Sequence, residues 1–191
     1  MTYDELRAAL SAYMKRTDPE TIANEPTALE LSRQAVGRLF FPVESEVEAD
    51  LILIDGQAVL PDDFGRAVSV GNDMAYTPPR AWRWGLEMAP NRIGGKYSIY
   101  DDMIHVAPSF LSLRVVYNRQ PEAISGTQSN WLSEHYPAVW LHAARAEQYR
   151  FIEDNEGAAG ADSIWQGLAA ELGGASEISR QAGGALRMKG R

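Results

Sequence analysis

The chain has no cysteine, which removes disulfides and thiolate metal centres and fits a reducing compartment. No apolar run approaches the roughly 20 residues that a helix needs to span a bilayer. The opening Met1-Thr2-Tyr3-Asp4-Glu5 lacks the basic and apolar regions of a secretory leader. A soluble, intracellular protein with no membrane partner is therefore expected. Basic charge is also scarce: 18 Lys and Arg face 26 Asp and Glu, giving a formal net charge of -8 and a pI near 4.9. Binding phosphate needs a basic face, so the chain is not expected to wrap nucleic acid directly.

The scarcity is sharpest in residues 43–63, which hold seven acids (Glu44, Glu46, Glu48, Asp50, Asp55, Asp62, Asp63) and no Lys or Arg. Four of them fall on alternate residues, so in a strand they share one face while Val47, Ala49, Leu51 and Leu53 take the other. Such a face is either simply solvated, or built to repel a polyanion or to meet a basic partner.

At 191 residues and 45% hydrophobic, the chain can build one core with a protruding subdomain. Two helices are expected in residues 1–42. Thr2 and Glu5 form a capping box ahead of a stripe of Tyr3, Leu6, Leu10 and Tyr13, and Asp18-Pro19 closes that helix. The second begins near Pro26 and keeps Leu31, Ala35 and Leu39. Residues 43–120 read as β structure, with hairpin signals at Asp55-Gly56 and Asp101-Asp102 and a last alternating strand over residues 111–117. Inside that block, residues 71–95 lose all pattern among Pro78-Pro79, Trp82, Trp84 and Pro90, and read as a long loop. Its tryptophans are either tucked against the body or offered to a partner.

Helix returns in residues 131–182. Val139, Trp140, Leu141, Ala143, Ala144 and Ala146 surround nearly every side of one helix, which places it inside a bundle or between subunits. It is expected to stop at Asn155-Glu156-Gly157. A fourth helix, capped by Asp162 or Ser163, keeps Ile164, Leu168 and Leu172 in line. Residues 183–191 read as a flexible basic tail.

Signatures of chemistry are lacking: there is no phosphate-binding glycine loop, nucleophile elbow or His-Glu-x-x-His helix. His135 and His142 are seven residues apart and would need further ligands to hold a metal. Asp62-Asp63 and Asp101-Asp102 stand at turns, where Asp bonds its local backbone. No catalytic residue, metal or cofactor is assigned.

Two N-terminal helices, a β block and C-terminal helices succeed one another in an order that resembles the head-to-tail adaptor (connector) proteins of tailed bacteriophages. Leu60-Pro61-Asp62-Asp63-Phe64 resembles that family's turn after the first hairpin. Residues 97–108 resemble its later hairpin, Val115-Val116-Tyr117 its strand ending in tyrosine, and Trp131-Leu132 through Pro137 to Asp154-Asn155-Glu156 its third helix. The longer, Pro-rich segment around Trp82 and Trp84 departs from the pattern.

The resemblance implies an α+β chain, an antiparallel four-helix bundle with an inserted β subdomain, made in the host bacterial cytoplasm and working in the virion neck. It implies a homo-oligomeric ring of about twelve copies beneath the portal protein, with a tail or stopper protein docked below and genomic DNA passing through without specific binding. Glu44, Glu46, Glu48 and Asp50 would then line the lumen or the outer rim. Leu186, Arg187, Met188, Lys189 and Arg191 would meet the portal, and Trp82, Trp84 and Trp140 a neighbouring subunit or the tail. The alternatives are a phage-associated cell-wall glycosidase, recognisable by paired carboxylates in a cleft, and a tail-completion or stopper protein.

Overall fold

In a computed structural model the chain describes residues 1–16, 18–71, 74–88 and 94–187, with the side chains of 84–88 and 175–187 outside that description. It divides into two compact units, residues 1–45 with 120–191, and residues 46–119.

The first unit is helical. Helix α1 (Tyr3–Met14) starts at the expected capping box: Glu5 N donates to Thr2 Oγ1 at 3.3 Å and Thr2 N to Glu5 Oε2 at 2.9 Å. It buries Leu6, Leu10 and Met14, leaving Tyr13 half exposed, and Lys15 closes it at φ 53°. Helix α2 (Pro19–Leu39) begins seven residues before the expected Pro26. Asp18 caps it by accepting from Thr21 N at 3.1 Å, and Pro19 takes the first helical position, where a missing N–H costs nothing. Pro26 lies inside this helix.

After the β unit, a short α4 (Trp131–His135) is capped by Asn130, which accepts from Ser133 N at 2.9 Å. It leads into α5 (Pro137–Phe151). Glu153, at φ 60°, turns the chain into α6 (Asn155–Arg187), whose first turn is held by Asp154 accepting from Gly157 N at 2.8 Å. The expected stop at Asn155 is thus a start, because Asp154 caps the helix that Asn155 opens. Buried Ala158, Ala161 and Trp165, continued by Leu168 and Leu172, form the inward stripe of α6, while Ile164 is half exposed.

The antiparallel four-helix bundle expected from the sequence does not form. Six helices and two sheets are present among the described residues. Helices α1, α2 and α6 each pack on α5. The lengths are unequal too, 12 residues in α1 against 33 in α6. A helix apolar on most of its circumference satisfies itself as a hub, and this one does: Val139, Trp140, Leu141, Ala143, Ala144 and Ala146 are all buried. Small residues such as Ala let neighbouring helices approach. At one close contact no side chain fits at all, since a Cβ on Gly37 of α2 would lie 2.7 Å from Cδ of Pro121.

The second unit holds two sheets. One has the order β1 (Glu46–Ile52), β7 (Ser112–Arg119), β3 (Phe64–Val70), all antiparallel; the other runs β2 (Gln57–Val59), β6 (Met103–His105), β5 (Lys96–Tyr100), β4 (Ala75–Tyr76). Both turns expected from the sequence form. Asp55 and Gly56 have φ of 51° and 76°, and Asp101 and Asp102 of 54° and 56°, the pair of positive angles that a type I′ turn demands. The second turn joins paired strands β5 and β6. The first does not, since only Ile54 bridges Gln57 and the flanking strands go to different sheets. The segment expected as a loop contains β4 and a helix, α3 (Pro79–Met88). Leu53, Leu60, Val70, Ile104, Leu113, Val115 and Tyr117 are buried in this unit's core.

Candidate functional site

Strand β1 presents Glu46, Glu48 and Asp50 on one face and packs Val47, Ala49 and Leu51 toward the core, as alternation requires. The central strand β7 answers that face with Arg114, opposite Asp50 in the register. Its Nε lies 2.9 Å from Glu48 Oε1 and 3.0 Å from Asp50 Oδ1. The hydrogen bond to Asp50, then the charges of Asp50 and Glu48, hold the guanidinium above its ordinary pKa. One cation stands between two carboxylates, so this part of the face remains net negative although sequence alone makes it look unrelieved.

Glu44 does not belong to that face. It sits in a 3-10 turn (Val43–Ser45) of the helical unit and accepts from the Tyr136 hydroxyl at 2.5 Å. Burial first, and that bond second, push the Tyr136 phenol well above its usual range.

The tryptophans offered as interface candidates are mostly interior. Trp140 is 1% exposed in the helical core, its Nε1 donating to Leu29 O at 3.0 Å and Ser32 Oγ at 3.1 Å. Trp82 of α3 is equally enclosed, in the β unit. Neither presents surface to a subunit, because the chain's own residues already cover both rings. Trp84 is in α3, and its side chain lies outside the described residues. Leu186 and Arg187 end α6, past the point where a flexible tail was expected to begin, with their side chains also outside the description. Met188, Lys189 and Arg191 lie outside the described residues.

The paired aspartates serve turns. Asp63 accepts from the Tyr117 hydroxyl at 2.8 Å; burial and this bond raise that phenol to about 12. Asp101 and Asp102 occupy left-handed positions that Asp tolerates. His142 Nδ1 lies 3.3 Å from Arg145 Nη1, and among the described residues no group of three or more His, Cys, Asp or Glu could hold a metal. Among those residues no helix is long and apolar enough to cross a membrane.

One surface feature escaped the sequence reading. Ile52, Ile54 and Val59 are 81%, 75% and 67% exposed, and they line a groove of about 560 Å³ with Leu51, Asp55, Ala58 and Met103. Exposed Leu111 stands beside them, its carbonyl accepting from Leu53 N at 3.0 Å. The signal was present in the run Leu51-Ile52-Leu53-Ile54: a strand buries one face, so half of an unbroken apolar run must project outward.

The family model described as SU10 adaptor protein matches residues 1–189. No curated protein matches the chain.

Proposed function

Because the chain belongs to the SU10 adaptor protein family, a structural family of bacteriophage head-to-tail adaptors, we propose that its copies form a ring beneath the capsid portal. The tail or its stopper docks below, and the genome passes through. The observation that carries this reading is the family match over residues 1–189. The build of the chain supports it. A helical unit whose hub is already satisfied internally, and a β unit with exposed apolar residues, suit a part that assembles with others rather than one that encloses a substrate.

In this reading Glu48 and Asp50 face the passing DNA. Repeated by rotational symmetry, even a partly neutralised acidic face gives a sleeve that does not hold phosphate. The portal contact falls to the C-terminal end of α6 and the basic residues beyond it, Arg187, Lys189 and Arg191. The free protein is a monomer or small oligomer, and about twelve copies gather on the portal, which acts as template.

Purified chain mixed with its portal and imaged in negative stain tests the reading. A ring stacked coaxially on the portal is expected. Virions that lack the chain and still join their tails would refute it.

A further inference from the structure

Charge in the β unit is divided along the sequence. Residues 46–63 carry six acids and no Lys or Arg, whereas residues 64–96 carry Arg66, Arg80, Arg83, Arg92 and Lys96 against only Asp73 and Glu87. The four-stranded sheet turns part of this division into geometry. Its order β2-β6-β5-β4 puts β2 at one edge and β4 at the other.

The β2 edge is acidic and apolar. Exposed Ile54 and Val59 border the groove with exposed Asp55, and exposed Asp62 comes shortly after β2 in the chain. The β4 edge is basic and aromatic. Tyr76 is 54% exposed and edge-on to Tyr97, Lys96 opens the adjoining strand β5, and Arg80 lies in the first turn of α3, which packs on β5. Asp55, Asp62, Arg80 and Lys96 have no ion-pair partner among the described residues.

We propose that these two edges meet between copies of this chain: the Ile54, Val59, Asp55 and Asp62 edge of one subunit docks on the Tyr76, Arg80 and Lys96 edge of the next. The contact is head-to-tail, because the two surfaces differ and lie at opposite edges of one sheet. Heterologous contacts close into rings when the rotation between copies allows it, whereas a self-complementary patch stops at a dimer. The chemistry is matched on both counts. Exposed β-branched side chains receive an aromatic ring, and unpaired carboxylates receive unpaired cations, which sets direction and register more than it adds raw affinity. This inference rests on the ring reading and names the surfaces that make the ring.

Charge reversal and cross-linking test it. Asp55→Lys with Asp62→Lys in one variant, and Arg80→Glu with Lys96→Glu in another, should each fold, because all four side chains are exposed and a Lys already holds a positive φ, 53° at position 15, like the 51° that position 55 requires. Each should lose rings on the portal at about 0.15 M salt, where screening acts over about 8 Å. Mixing the two variants should restore rings, since each then offers the charge that the other lacks. In the cysteine-free chain, Val59→Cys with Tyr76→Cys should give an oxidised ladder of multimers on the portal, and either change alone no more than a dimer. If the wild-type chain forms rings while the double-cysteine chain stays monomeric, or if both charge variants still form rings, these edges are not the interface. If the wild type forms no ring, the ring reading falls, and this inference with it.

Discussion

Replacing Trp140 with Ala separates a core tryptophan from an interface tryptophan. The ring is 1% exposed, packed among Leu29, Val36, Val139 and Ala144 in the helical core, and its Nε1 has two acceptors. Truncating such a side chain costs about 3–5 kcal/mol through lost transfer energy and the cavity left behind. Against a typical domain stability of about 5–15 kcal/mol, that is a large fraction of the total. With a urea slope of about 2 kcal/mol per molar, the midpoint of the helical unit should fall by about 2 M. Trp140→Phe should cost far less. Leu29 O keeps its bond from Ser32 Oγ at 2.9 Å, so no buried acceptor is orphaned, and the lost hydrogen bond is worth about 1 kcal/mol. Urea titration of the isolated chain, followed by far-UV circular dichroism, reads both. An Ala variant with an unchanged midpoint in isolation, yet defective in assembling on the portal, would show that the ring is covered by a neighbour and refute the core assignment.

Gly37→Ala should destabilise by about 1–3 kcal/mol, although Ala favours helix, because the new methyl meets Pro121 at 2.7 Å; a raised melting temperature would contradict the close contact. Arg7→Ala should cost about 1–3 kcal/mol, since the almost fully buried Glu25 side chain loses the 2.9 Å partner that balances its charge and keeps only Ser11. Glu25→Gln with Arg7→Ala should recover part of that loss in the same melt. His105 lies flat on Tyr100 at 3.7 Å, and burial depresses it below the ordinary 6.5. The unfolded chain therefore binds a proton that the folded one refuses. Its contribution is complete above 6.5 and is lost as the pH falls below it; His105→Phe should flatten that slope in the β unit's unfolding, and an unaltered slope would count against it.

Much of the local structure was legible because local chemistry decided it. Thr2 and Glu5 announce a helix start through two reciprocal hydrogen bonds, and Asp55-Gly56 and Asp101-Asp102 announce tight turns through residues that accept positive φ. Order and motif around Leu60-Pro61-Asp62-Asp63-Phe64 and residues 97–108 were enough to suggest an adaptor, and the family match agrees. The acidic alternation of β1 was equally plain. That Arg114 answers it was not, since residues 50 and 114 become neighbours only through strand pairing.

Tertiary structure decided the rest, because it turns on which surfaces find each other. Asp55-Gly56 looks like a simple hairpin, yet its two arms leave for different sheets, β1 to β7 and β2 to β6. A helix apolar all round fits a four-helix bundle, a subunit interface or a hub; packing of α1, α2 and α6 on α5 made it a hub. That packing, with the enclosure of Trp82 in the β unit, moved two tryptophans from the expected interface to the interior. Sequence by itself determined the cap at Thr2, the tight turns, the acidic alternation of β1 and the split of charge between residues 43–63 and 64–96. Only the fold put Asp55 and Asp62 near one edge of a sheet and Tyr76 and Lys96 at the other, because strand order is set by contacts between residues far apart in the chain.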